Sequence, residues 1–207
     1  MTGSPAAEHL PRAGHRRYDA AVALFEYLAI AFSLVFSFAA VRLVGGLAAA
    51  LDPARRYWVH LAFVVHELLR VVIGFWAFWS FRDLAWTFPT YLLALVGPGV
   101  VYFLAATLVP EDPSSVRSWR EYYYDVRSRY FLAILCWVAA VAITTTVLLG
   151  QPLWHPFRLV QLAFVCFALV GASSESPRIH ATLALISLAL PVFAVLTVLL
   201  RPGSLAN

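Results

Sequence analysis

The chain has 207 residues, 62% of them hydrophobic, and its mean hydropathy is +0.78. Soluble domains are about half apolar, and here the apolar residues form long uninterrupted runs that are typical of membrane helices. The formal charge is +4, and all 15 basic residues are arginine. No basic patch on a soluble module accompanies this charge, so we exclude a nucleic-acid-binding protein and expect contact with the lipid bilayer and its anionic headgroups.

The N-terminal region combines a polar tail with the first apolar run. Residues 1–18 are polar and contain glycine and proline, so we predict a mobile tail. The run from about Ala20 to about Val44 is too long for a signal peptide and lacks a cleavage site. It is long enough to span a hydrocarbon core of about 30 Å. Asp19 can cap this helix, and Glu26 lies roughly two turns inside it.

The second predicted helix starts at Asp52, where an acidic cap is followed by Pro53, and ends near Arg82. Its first half carries ionisable side chains at a depth where they are energetically costly. Those side chains are His60, His66, Glu67 and Arg70. We therefore predict that the candidate site lies on this helix.

Helical spacing places these polar side chains in a stripe. Glu67 and Arg70 are three residues apart, His60 precedes Glu67 by two turns, and His66 lies beside them. A lone charge at mid-membrane costs about 2.5 to 3.5 kcal/mol, so the stripe should face protein or water. Two interpretations stay open: a proton, ion or anion pathway, which Glu26 could join, and a buried ion pair that fixes helix packing.

Prolines interrupt two later apolar segments. The third segment, about Pro89 to Leu108, contains a glycine–proline–glycine triplet near its middle. The sixth segment contains a proline at a similar depth. Because proline removes a backbone hydrogen bond, we predict a kink or a break in the third segment and hinge residues in both segments. The predicted hinge residues are Gly97, Pro98, Gly99 and Pro191.

A loop at residues 110–113 leads into an amphipathic stretch. Its apolar and aromatic residues recur at helical spacing, namely Val116, Trp119, Tyr123, Val126 and Tyr130. We predict an interfacial helix that rests on lipid headgroups, followed by a fourth span from Tyr130 to Leu149. The expected membrane-surface residues are Trp119, Tyr122, Tyr123, Arg117 and Arg120.

A short fifth span, about Phe157 to Val170, completes the predicted architecture. The fold class is therefore all-α, with six transmembrane helices and one interfacial segment. A single membrane domain covers residues 19–201, and a short tail covers residues 202–207. We expect a multi-pass protein of a cell membrane, namely the bacterial inner membrane.

No motif identifies an enzyme, a metal site or a cofactor; we expect no metal and no cofactor, and we favour a non-enzymatic protein over an enzyme. His66 and Glu67 begin a zinc-protease pattern, but Arg70 stands where the second histidine is needed. His60 and His66 point apart on one helix, which disfavours a bis-histidine haem. Cys136 and Cys166 lie inside apolar segments, so we predict packing residues rather than a disulfide or a metal pair.

The leading hypothesis is a small channel or transporter subunit, whose route follows the polar stripe and the break at residues 97–99. One small bundle encloses little space, so we expect a homo-oligomer. The alternatives are a non-transporting accessory, sensor or scaffold protein, and an enzyme acting on lipid or quinone. A polar cavity that reaches Glu67 would favour transport. An apolar cavity that opens to the bilayer and has Glu67 or a histidine on its wall would favour the enzyme.

Overall fold

The structure is a computed structural model that describes the backbone of residues 13–206 and the side chains of residues 24–206. Within these limits it contains six α-helices, short 3-10 turns and no β-strand. The helices are α1 (Ala13–Ala50), α2 (Trp58–Phe78), α3 (Phe88–Leu108), α4 (Trp119–Leu149), α5 (Phe157–Ser173) and α6 (Pro177–Thr197). Most of the predicted tail, residues 1–12, lies outside the described residues, whereas residues 13–18 belong to α1.

The six helices pack side by side in a closed ring. Helix α1 contacts α3, α3 contacts α4, α4 contacts α5, α5 contacts α6, α6 contacts α2, and α2 returns to α1. Helix α2 also contacts α3 and α4, so it lies towards the middle of the bundle. This central position places the polar half of α2 against its neighbours.

Five described helices are long and apolar enough to cross a membrane. Their apolar stretches are Leu24–Ala50, Trp58–Phe81, Phe88–Ser115, Trp119–Leu149 and Pro177–Leu199. Helix α5 is apolar but has 17 residues, which is about 26 Å at about 1.5 Å per residue, against a hydrocarbon core of about 30 Å. Length and composition therefore support a helical multi-pass membrane protein.

Helix α2 begins later than the sequence predicts. The Asp52 side chain accepts hydrogen bonds from the Ala54 backbone at 3.0 Å and from Arg55 Nε at 2.9 Å. These bonds close a turn, and Tyr57 follows in extended conformation before the helix starts at Trp58. The predicted start at Asp52 is wrong because the aspartate caps this separate turn and not the helix.

Helix α4 overturns the prediction of a separate interfacial helix. It runs without interruption from Trp119, and the Ser118 side chain caps it by accepting a hydrogen bond from the Glu121 backbone. Trp119 and Tyr123 are 0% exposed, so they are core residues and not membrane-surface residues. The physical reason is that one apolar face continues along the whole helix and packs against the bundle.

The other predicted surface residues of this region lie outside the core. Arg117 and Arg120 are exposed, and Tyr122 is half-buried. The Tyr122 hydroxyl donates a hydrogen bond to the Thr107 carbonyl at 3.0 Å, which ties α4 to the end of α3. Arg117 and Arg120 therefore lie on the protein surface at this end of the bundle, and their contact with lipid headgroups stays a prediction.

Neither proline interrupts its helix. Helix α3 continues through Pro98, and α6 continues through Pro191. Of the predicted kink or break at residues 97–99, the break is wrong, because α3 stays helical through these residues. Both prolines are buried and face the centre of the bundle.

The two cysteines also differ from expectation. Cys136 in α4 and Cys166 in α5 are free and exposed, so the predicted packing role is wrong. Each lies on the outer face of its helix, because the inner faces are filled by larger aromatic and aliphatic side chains.

Candidate functional site

Glu67 and Arg70 form a buried ion pair on α2. Arg70 Nε donates a hydrogen bond to Glu67 Oε2 at 2.8 Å, and the residues are 5% and 0% exposed, respectively. The second carboxylate oxygen, Oε1, accepts a hydrogen bond from the Tyr130 hydroxyl of α4 at 2.7 Å. Both oxygens of the carboxylate therefore have partners, and the pair joins α2 to α4.

His66 binds to the same pair through its ring nitrogens. Its Nε2 lies 2.6 Å from Arg70 Nη2, and its Nδ1 lies 2.5 Å from the Ser187 carbonyl oxygen of α6. A guanidinium only donates and a carbonyl only accepts, so Nε2 must be the acceptor and Nδ1 must carry the hydrogen. These partners assign His66 as the neutral Nδ1–H tautomer.

We call His66, Glu67, Arg70 and Tyr130 the ionic cluster. Its carboxylate and guanidinium charges cancel, and its histidine and tyrosine are neutral. Buried charges are tolerated when they are paired and hydrogen-bonded. The cluster meets both conditions and is stable without a counter-ion.

Pro191 explains why the Ser187 carbonyl is available to His66. In an α-helix the carbonyl of one residue accepts from the backbone N–H four residues later. For the Ser187 carbonyl, the donor would be the backbone N–H of residue 191. That residue is proline, which has no N–H. His66 supplies the missing hydrogen bond from α2. The predicted hinge residue therefore has a defined role in fixing the histidine.

Aromatic rings hold the other face of the Arg70 guanidinium. Its Cζ lies 3.9 Å from the centre of the Trp137 ring and 5.1 Å from the centre of the Phe164 ring. A cation over an aromatic face is stabilised by the ring quadrupole. Within the described residues, Arg70 hydrogen-bonds through Nε and Nη2, and its Nη1 makes no such bond.

An interior cavity of about 140 Å³ lies beside the ionic cluster, and side chains from all six helices line it. Its walls are almost entirely apolar. The polar residues on the wall are His66, Arg70, Thr144, Thr145 and Gln161. Glu67 is not on the wall. An apolar cavity of about 150 Å³ holds one benzene molecule, so this cavity fits a single ring.

The predicted hinge residues lie mostly at this cavity. Gly97 and Pro98 of α3 and Pro191 of α6 line it. A Cβ added at Gly97 or at Gly99 would meet no atom within 4 Å, and Gly99 is exposed. The two glycines therefore offer a matched pair of positions, one on the cavity wall and one on the outer surface.

His60 does not join the ionic cluster. It is 0% exposed and stacks on Trp119, with ring centres 4.7 Å apart. Neither of its ring nitrogens has a hydrogen-bond partner in the described part of the chain. The stripe prediction placed His60 on the correct helix, but different residues of α4 cover the two levels, Trp119 at His60 and Tyr130 at Glu67.

Glu26 is also apart from the cluster. It is exposed on α1 and lines a lateral groove between α1 and α2, together with Trp76 and Trp79. The structure therefore brings together three of the five predicted pathway residues, namely His66, Glu67 and Arg70.

Sequence reasoning missed the partners that other helices supply. They are Tyr130, Trp137, Thr144, Gln161 and Ser187. The first three continue the apolar spacing of the region before Tyr130, which could have placed them on the inner face of α4. Gln161 is the only amide in the fifth apolar run, and that was a second usable signal.

The site offers hydrogen-bond donors on the wall of an apolar cavity, with the carboxylate closed off from it. Among the described residues, no group of three histidine, cysteine, aspartate or glutamate side chains could hold a metal ion. Comparison with protein-family models, curated proteins and solved structures finds no match to this chain.

Proposed function

We propose that the chain is a small multi-pass membrane protein that binds an apolar solute in its interior cavity, as the binding step of a transporter subunit. The observation that carries this proposal is the place of Arg70, a charged residue on the wall of a cavity that is almost entirely apolar. Ligand sites typically combine apolar walls with a few fixed polar groups. Glu67, His66 and Trp137 fix this one.

An ion or proton route along the stripe has less support. Both oxygens of Glu67 are hydrogen-bonded, and the residue is 0% exposed and absent from the cavity wall. Ion pathways need polar groups that replace the hydration shell along their length. The apolar cavity wall supplies few such groups, so we place the transport route at the cavity.

We propose that α5 is the sixth membrane span. It packs in the ring between α4 and α6, both of which are long enough to cross a membrane. Its exposed large side chains are apolar, namely Leu159, Leu162, Leu169 and Val170. Tilting of neighbours or local thinning of the bilayer accommodates a short span at modest cost. The bacterial inner membrane remains our proposed location, and a homo-oligomer our proposed assembly.

The enzyme alternative rests on one observation, the presence of His66 on the wall of an apolar cavity. However, its Nδ1 donates to Ser187 and its Nε2 accepts from Arg70. Neither nitrogen is free to move a proton of a substrate. The scaffold alternative would need the aromatic face of residues 119–129, and that face points into the bundle.

The matched glycines provide the test of this proposal. Gly97→Leu adds a side chain at the cavity wall, and Gly99→Leu adds the same side chain at the outer surface. Apolar molecules that copurify with each variant from native membranes are extracted and identified by mass spectrometry. We expect wild type and Gly99→Leu to retain a solute that Gly97→Leu loses. Identical extracts from all three proteins would contradict the proposal.

A second arm tests transport. The identified solute is loaded into liposomes, and its flux is compared between wild type, Glu67→Gln and Arg70→Gln. We expect the arginine variant to slow flux most, because it removes the donor on the cavity wall. Unchanged flux in both variants would remove the ionic cluster from the route.

A further inference from the structure

Two buried polar side chains on the cavity wall each have an atom without a hydrogen-bond partner among the described residues. Thr144 and Gln161 are 7% and 6% exposed, and both line the cavity. Among the described residues, Thr144 Oγ1 and Gln161 Nε2 make no hydrogen bond. Buried polar groups without a partner are rare in folded proteins and require an explanation. Their shared position points to something that binds in the cavity.

The orientation of the Gln161 amide follows from Arg158. Arg158 Nη1 donates a hydrogen bond to Gln161 Oε1 at 2.8 Å. Because a guanidinium cannot accept, the oxygen of the amide must face the arginine and the nitrogen must face away from it. Gln161 therefore has an N–H donor that no atom of the described residues uses.

Thr144 differs from the two threonines that follow it. The hydroxyls of Thr145 and Thr146 donate to carbonyls of their own helix at 2.8 and 2.7 Å, and both accept from Arg158. The Thr144 hydroxyl does neither. Since the same helix satisfies its neighbours, the Thr144 hydroxyl is left free to bind a molecule in the cavity.

These groups lie at a different level of the cavity from Arg70. The rings of Trp137 and Phe164 contact Arg70 and therefore mark its level in the bundle. On α5, Gln161 precedes Phe164 by three residues. On α4, Thr144 follows Trp137 by seven residues. At about 1.5 Å per residue, the offsets are about 5 Å and about 10 Å along the bundle. The helices α4 and α5 are antiparallel neighbours, so both offsets point to the same end. The residues that line the cavity therefore carry hydrogen-bond donors at two separate levels along the bundle.

We propose that the cavity binds a neutral, ring-sized molecule with hydrogen-bond-accepting oxygens at two positions, a dicarbonyl of the quinone class. One oxygen accepts from Arg70 Nη1, and the other accepts from Gln161 Nε2 and the Thr144 hydroxyl. This inference rests on the proposed function and names its ligand class. The cavity volume limits the enclosed part of the ligand to about one ring.

The charge of the site selects a neutral ligand. The charges of Glu67 and Arg70 already cancel, so an anion would add an uncompensated charge to an apolar cavity. Carbonyl oxygens accept hydrogen bonds without bringing a charge. Both an isoprenoid-tailed membrane quinone and a water-soluble dicarbonyl carry this chemistry, and the experiment distinguishes the two sources.

The test measures binding of one-ring probes to the full chain in lipid nanodiscs, with protein-free nanodiscs as the blank. Toluene has no acceptor, acetophenone has one and tetramethylbenzoquinone has two. We expect the quinone to bind at least about tenfold more tightly than toluene, with acetophenone between them, because each hydrogen bond contributes up to about one order of magnitude. A quinone with a ten-carbon tail that binds more tightly than the tail-less one identifies a membrane source, and equal affinities identify a soluble one.

Two variants test whether Thr144 and Gln161 bind the second oxygen of the ligand. Thr144→Val removes a hydroxyl that has no partner in the described part of the chain, and Gln161→Glu removes the unpaired donor but keeps an acceptor for Arg158. Each should weaken quinone binding by about fivefold to tenfold and leave toluene binding unchanged. Thr144→Val disturbs no protein hydrogen bond, so it decides the question if Gln161→Glu fails to fold.

The outcomes separate this inference from the proposed function. Equal affinities for all three probes, or quinone binding that neither variant changes, would overturn the dicarbonyl assignment and leave an apolar-binding cavity in place. Failure of every probe to bind, together with identical extracts from the glycine variants, would overturn the proposed function itself.

Discussion

His66 Nδ1 lies 2.5 Å from the carbonyl oxygen of Ser187, the one carbonyl of α6 that Pro191 deprives of its helical donor. The contact joins α2 to α6 and sets the histidine tautomer, because the carbonyl can only accept. The opposite nitrogen is then an acceptor for Arg70. A helix irregularity in α6 therefore orients the guanidinium on α2 that faces the cavity.

Pro191→Ala should weaken a hydrogen bond of His66, although the substitution is on a different helix. The new backbone N–H competes for the Ser187 carbonyl, so the histidine bond weakens and the tautomer is less strongly fixed. The measurement is the side-chain ¹⁵N NMR spectrum of histidine in detergent micelles. Pro98→Ala is the control, because the carbonyl it affects belongs to α3. An unchanged His66 spectrum in Pro191→Ala would show that the proline has no part in fixing the ring.

Glu67→Gln should be among the most destabilising single changes in the chain. It leaves the Arg70 charge buried without its carboxylate, a loss of about 3 to 5 kcal/mol in the free energy of unfolding. Tyr130→Phe removes one hydrogen bond to the carboxylate and should cost about 1.5 to 3 kcal/mol. Chemical denaturation in detergent compares the two. A larger loss of stability in Tyr130→Phe than in Glu67→Gln would indicate that the tyrosine, and not the arginine, is the main partner of the carboxylate.

A double variant separates the ion pair from simple packing. Glu67→Gln combined with Arg70→Met removes both charges and should recover most of the stability that Glu67→Gln loses, because no unpaired charge remains. Strictly additive losses would contradict direct coupling between the two side chains.

The sequence predicted the helical class and the polar half of α2, because long apolar runs and charges within them are local signals. It could not predict which helix supplies the partners of Glu67, since apolar helices of similar composition can pack in several orders. The inward face of α4 was misassigned because Trp119 and Tyr123 are also typical of membrane interfaces. Continuing their spacing through Tyr130 to Trp137 and Thr144 would have corrected it.

His60 and Glu26 lie apart from the ionic cluster for a different reason. Spacing on α2 places His60 and Glu67 on one face, but the neighbour that covers each level is set by tertiary packing. Trp119 covers His60, whereas Tyr130 covers Glu67. Glu26 is on the outer side of α1, which the weakly patterned sequence of that helix does not reveal.

Thr144→Val and Thr145→Val should have opposite effects on stability without added ligand. The Thr144 hydroxyl is buried and has no hydrogen-bond partner among residues 24–206, so its removal is neutral or raises the free energy of unfolding by up to about 1 kcal/mol. The Thr145 hydroxyl donates to Val141 and accepts from Arg158, so its removal should cost about 0.5 to 1.5 kcal/mol. Thermal unfolding of the two purified variants gives the comparison. A large loss in Thr144→Val would mean that its hydroxyl has a partner in the folded protein.

Asp52 should give the loop before α2 an acid-sensitive contribution to stability. The backbone N–H of Ala54 and the side chain of Arg55 hold the pKa of the Asp52 carboxyl below its ordinary value of 3.8. A lowered pKa in the folded state stabilises the fold above the ordinary value, and this contribution is lost as the pH falls through the folded pKa. Thermal midpoints of wild type and Asp52→Asn should differ by a constant amount at neutral pH and converge in acid. A difference between the two thermal midpoints that grows as the pH falls would contradict this prediction.

Cys136 and Cys166 can report whether α4 and α5 both cross the bilayer, because they are the two cysteines of the chain and both are exposed on its outer face. Each lies near the middle of its helix, at the depth of the hydrocarbon core if the helix spans the membrane. In liposomes, we expect both to react with an apolar, membrane-permeant maleimide and to resist a charged one. After solubilisation and unfolding, both should react with either reagent. Cys136 is the internal reference for Cys166: rapid labelling of Cys166 alone by the charged reagent would place α5 outside the hydrocarbon core and reduce the number of spans to five.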